Sequence, residues 1–69
     1  MSDSIYKFIE LVGTANTSWE EAAKNAVEKA GATLRDIRIA EIVALDMKVD
    51  DNKVVAYRAR VKVSFKYEA

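Results

Sequence analysis

Ser18-Trp19-Glu20-Glu21-Ala22-Ala23-Lys24-Asn25-Ala26-Val27-Glu28-Lys29-Ala30-Gly31 is the one stretch of this 69-residue chain that reads as helix. The segments before and after it alternate as strands do, so the fold is organised around it. Trp19, Ala22, Ala23, Ala26, Val27 and Ala30 recur at helical spacing and draw a single apolar stripe. Four of these six residues are alanines, which let a sheet approach the helix axis closely but bury little area each. The missing burial has to come from elsewhere. Ser18 with Glu21 has the capping-box spacing, Glu20 and Glu21 sit at the positive end of the helix dipole, and Gly31 reads as a left-handed stop.

Working outward, Ile5 to Val12 reads as a strand, with Gly13 to Thr17 as the loop into the helix. Ile5, Ile9 and Leu11 take one face and Tyr6, Phe8 and Val12 the other, so both faces call for burial. Ile37 to Val49 reads as a second strand, with Ile37, Ile39, Val43, Leu45, Met47 and Val49 assigned to one face by simple alternation and Arg38, Ile42, Asp46 and Lys48 to the other. Asp50-Asp51-Asn52-Lys53 turns the chain into a third strand, Val54 to Tyr67. This order gives an α+β fold, β-α-β-β. The last two strands form a hairpin, and the third lies between the others in a three-stranded antiparallel sheet of order 1-3-2 wrapped on one helix.

Composition narrows the function. Residues 1–69 are expected to form one small domain, near the size at which a single core is barely sufficient. There is no cysteine and no histidine, which removes disulfides, thiolate chemistry and ordinary zinc sites. Association between copies is the remaining remedy. Nucleophilic catalysis lacks its usual groups, and neither a Walker loop nor a Gly-x-Gly-x-x-Gly motif is present, so the chain is not expected to be an enzyme. Eleven basic and eleven acidic residues cancel. The row Arg58, Arg60, Lys62 and Lys66 reads first as the polar face of an amphipathic strand, paired with Glu10, Glu41 or Asp46, and second as a nucleic-acid face. No membrane span and no signal-peptide pattern stand out, and a cytoplasmic protein is expected. Asp46, Asp50, Asp51 and Asn52 offer oxygens suited to a hard cation without the EF-hand spacing. Trp19, beside the core stripe, reads as packing or a subunit contact before it reads as a platform for a planar ligand.

The chain resembles the dodecins, small flavin-binding proteins that assemble as hollow homododecamers. The resemblance rests on Tyr6-Lys7-Phe8-Ile9-Glu10-Leu11-Val12-Gly13-Thr14, the Ala22-Ala23 pair, Leu34-Arg35, Glu41-Ile42 and Val61-Lys62-Val63-Ser64-Phe65. It implies a cage of twelve copies that binds or buffers a small molecule or ion. The residues that hold flavin in typical members are replaced. Ile39 stands where the family's stacking tryptophan stands, Arg58 where a ring-bonding glutamine stands, and Asp46-Met47-Lys48 where an Arg-Gly-His run stands. Flavin, the cofactor implied by the family, is therefore expected to bind weakly or not at all. Thr17-Ser18-Trp19-Glu20, Asp36-Ile37-Arg38 and Asp46-Met47 look closer to the branch described as calcium dodecin. Asp46 is accordingly a candidate metal position, either contributing to a calcium site shared between copies or neutralised by Arg38, Lys48 or Arg58.

Overall fold

In a computed structural model describing residues 5–66, the elements run β1 (Tyr6–Ala15), α1 (Trp19–Gly31), β2 (Ile37–Asp50) and β3 (Lys53–Lys66). The sheet order is β1-β3-β2 with both pairings antiparallel, as the connectivity requires. Tyr67, assigned to the third strand from sequence, lies outside the described residues.

The helix begins as its sequence dictates. Ser18 is extended, and its hydroxyl accepts from the Glu21 backbone N–H at 3.1 Å. It ends differently. Neither glycine has a positive φ, and Gly31 is simply the last helical residue. The chain tightens there instead, with the Thr33 and Leu34 N–H groups both donating to the Ala30 carbonyl, before it turns at Asp36, whose φ is 59°. The hairpin turn is made by Asp51 and Asn52 at φ 53° and 61°, the pair of left-handed residues that a two-residue turn between right-twisted strands requires.

The core is small. Ala22, Ala26, Ala59, Val61 and Val63 are its buried hydrophobics, with Ile9, Leu11, Ala15, Ala23, Val27, Leu34 and Ile37 packed around them. Gly13, expected in a loop, is instead a buried residue of β1 paired with Ala59. A Cβ at Gly13 would fall on the Ala22 carbonyl oxygen and lie 2.8 Å from the Ala26 Cβ, so the helix rests directly on the β1 backbone. Asn25 secures the same contact, its side-chain amide donating to the Thr14 carbonyl at 3.1 Å.

The strand-two faces expected from simple alternation are not the observed ones. The β2–β3 register shifts between Ile37 and Ile39, between Ile42 and Ala44, and again at Lys48/Val49. In the first two shifts β2 carries an extra residue, Arg38 and then Val43, and each reverses the parity that follows. Residues directly opposite each other share a face, so Ala40, Ile42, Leu45 and Met47 lie on the helix side opposite Val63, Val61, Ala59 and Tyr57. Ile39, Glu41, Ala44, Asp46 and Lys48 lie on the outer face.

Candidate functional site

The outer face carries the charged row of β3. Lys62 stands between Glu10 of β1 and Glu41 of β2, and its ammonium lies 4.7 Å from the centre of the Phe8 ring. Arg58 stands between Thr14 and Asp46. This is the interleaving expected of an amphipathic strand whose charges are balanced across the sheet.

Asp46 and Arg58 form a two-pronged ion pair. Arg58 Nε donates to one carboxylate oxygen at 2.8 Å and a terminal nitrogen donates to the other at 3.1 Å. Of the partners open to Asp46 from sequence, the structure therefore selects Arg58. The hydrogen bond from Arg58 is the main cause holding the Asp46 carboxyl below its ordinary pKa, partial desolvation opposes it, and the charges of Arg58 and Arg60 add to it. The same bond raises the Arg58 guanidinium. Both side chains stay substantially exposed, so the pair fixes orientation more than it adds stability.

The backbone of Asp46 is engaged from the opposite side of the sheet. Trp19 Nε1 donates to the Asp46 carbonyl at 3.0 Å, and the Trp19 ring meets Tyr57 edge-on with centroids 5.0 Å apart. Sequence reading left Trp19 between packing and ligand stacking; within the chain it packs, tying the first helical turn to β2. The link needs the first two register shifts, which are invisible in the residue pattern.

Ile39 lies on the same outer face, opposite Ser64, and is 65% exposed. Six β3 positions separate Ser64 from Arg58, or about 20 Å of strand. One chain thus brings Asp46 and Arg58 together but leaves Ile39 apart from them. A flavin ring does not fit these residues: Ile39 has no aromatic face, and the Arg58 fork is already filled by a carboxylate. Among the described residues no three or more acidic side chains gather as a metal site, and Asp50 and Asp51 sit at the hairpin tip beyond Asp46. A single chain offers calcium one carboxylate, against the roughly 6 to 8 oxygens it takes.

Comparison with known proteins now places the chain. Residues 5–68 match the Dodecin family, and the chain belongs to it. It is 46% identical over 63 residues to calcium dodecin of Mycobacterium tuberculosis, covering 91% of this chain and 89% of that protein. The crystal structure of that mycobacterial protein, described as calcium chelating with a novel calcium-binding site, superposes with a TM-score of 0.84 at 45% identity over 94% of this chain and 93% of that one. Dodecin from Streptomyces coelicolor superposes with a TM-score of 0.92 at 30% identity, covering 100% of this chain and 99% of that one. The β-α-β-β order and the 1-3-2 sheet are those of the family.

Proposed function

We propose that the chain assembles as a homododecameric shell that binds and buffers calcium in place of a flavin. The observation carrying this reading is the Asp46–Arg58 fork. Where flavin-binding members place a ring-bonding amide and a basic run, this chain places a carboxylate held in its charged form by an arginine. The 46% identity to a protein named calcium dodecin supports the choice of ion. Because one chain supplies only one carboxylate here, the site is a shared one. In a symmetric shell three copies of Asp46 converging on an axis would repel one another without a cation, and backbone carbonyls or water would complete the oxygen shell. Asp46 would then act as the metal-binding side chain, with Arg58 as the counter-charge it exchanges for the ion.

The shell is a binding protein and not an enzyme, acts in the cytoplasm, and takes no nucleic-acid or membrane partner. Zero formal net charge and the charge-paired outer face support that reading, and no described helix is long and apolar enough to cross a membrane. Thermal melts with calcium and with chelator test the proposal. Calcium should raise the midpoint of the native chain and leave Asp46→Asn unmoved, whereas no calcium response in either protein removes Asp46 as a ligand. Riboflavin should be quenched only weakly. Tight quenching would overturn the assignment, and Ile39→Trp with Arg58→Gln should strengthen it.

A further inference from the structure

The helix covers the sheet unevenly. It rests over β1 and β3, where Gly13 and Ala59 are small enough to admit it, and leaves the helix-side column of β2 open. Ile42, Leu45 and Met47 in that column are 48%, 49% and 45% exposed, although the β3 residues opposite the first two are fully buried. The column forms the floor of a cleft of about 510 Å³ whose wall is the first half of the helix, through Trp19, Glu20 and Ala23. Large apolar side chains on the core side of a sheet, beside a helix wall, make an unfinished core.

The dimensions indicate how much is missing. The chain exposes 5424 Å², whereas a folded monomer of 7.7 kDa exposes about 4,300 Å². The surplus of about 1,100 Å² is comparable with the roughly 800 Å² that one partner contributes to a stable protein–protein interface. The radius of gyration, 14.3 Å, likewise exceeds the roughly 11 Å of a compact chain of this length.

We infer that the β2 column and its cleft are the seat of a second copy of this chain, so that the core is completed between subunits under Trp19. This rests on the assembly reading above and adds to it the surface that does the work. The β2 shifts serve the arrangement. By inserting Val43, the strand keeps Ile42 on the helix side while returning Asp46 to the outer face, so one strand presents an apolar seat on one side and the charged fork on the other.

The absence of cysteine makes the test direct. In native protein whose mass has been measured by light scattering, Met47→Cys should react with a thiol reagent about tenfold or more slowly than Lys24→Cys, on the exposed side of the helix. Leu45→Lys should reduce the mass to that of monomers or small oligomers while leaving the far-ultraviolet helix signal in place. If Leu45→Lys fails to fold, the labelling comparison still decides. Assembled protein in which Met47→Cys reacts as fast as Lys24→Cys overturns the seat and leaves the assembly reading standing. A monomeric native chain overturns both. Protection of Met47→Cys in such a monomer would mean that some other molecule covers the column.

Discussion

β2 and β3 are each 14 residues long, lie side by side, and carry large apolar residues on the helix side, yet only β3 contributes to the buried core. Val61 is fully buried, and Ile42 directly opposite it is 48% exposed. The bulkier residue is the exposed one, so hydrophobicity did not decide the matter. What decided it is the position of the helix, which sinks where β1 and β3 offer Gly13 and Ala59 and is held there by Asn25. Burial in this fold follows from where backbone can approach backbone, and the uncovered strand is left for another molecule.

The strongest way to break the contrast is at Gly13. Gly13→Val would put side-chain atoms into the Ala22 carbonyl and the Ala26 methyl, forcing the helix off the sheet, with an expected cost of about 3 kcal/mol. Denaturant unfolding with tryptophan fluorescence would measure it, and native stability would show that the close approach is dispensable. Matched truncations sharpen the same contrast. Val61→Ala should cost about 2 kcal/mol at any protein concentration because its cavity lies inside one chain. Ile42→Ala should lose stability only where the protein is assembled, leaving the dissociated chain within about 0.5 kcal/mol of native. Equal, concentration-independent losses would refute the distinction between the two strands.

Trp19 bridges the covered and uncovered halves. Trp19→Phe keeps most of the ring but deletes the donor to the Asp46 carbonyl, with an expected cost of about 1 kcal/mol. The smallest effect belongs to Asp46 itself. Its folded pKa is depressed, so its contribution is fully present above the unfolded value of about 3.9 and is lost as pH falls through the lower folded value. A carboxyl NMR titration should place its midpoint below about 3.9, and Arg58→Gln should move the midpoint upward. An unchanged midpoint would mean that the fork is not formed in solution.

Much of this was legible in the sequence. The helical stripe, the Ser18 cap and the Asp51-Asn52 turn each have a local chemical signal, and with three strands and one crossover the 1-3-2 order follows from them. The faces of β2 were not legible. Ile42 and Val43 are both apolar, so alternation cannot tell which one is the inserted residue, and choosing wrongly moves everything beyond it to the other side. Gly13 looked like a loop glycine because its reason for being glycine is a helix that is distant in sequence. Gly31 looked like a left-handed stop because composition alone does not reveal φ. For the site, Arg58 was among the partners foreseen for Asp46, but the Trp19 hydrogen bond uses a backbone carbonyl, and no residue type announces that.

The central claim is that one chain leaves its core open and that other copies close it. Multi-angle light scattering over a dilution series at micromolar concentration tests this most directly. The account predicts a species near twelve times the 7.7 kDa chain mass; a stable species of 7.7 kDa across that range would contradict it.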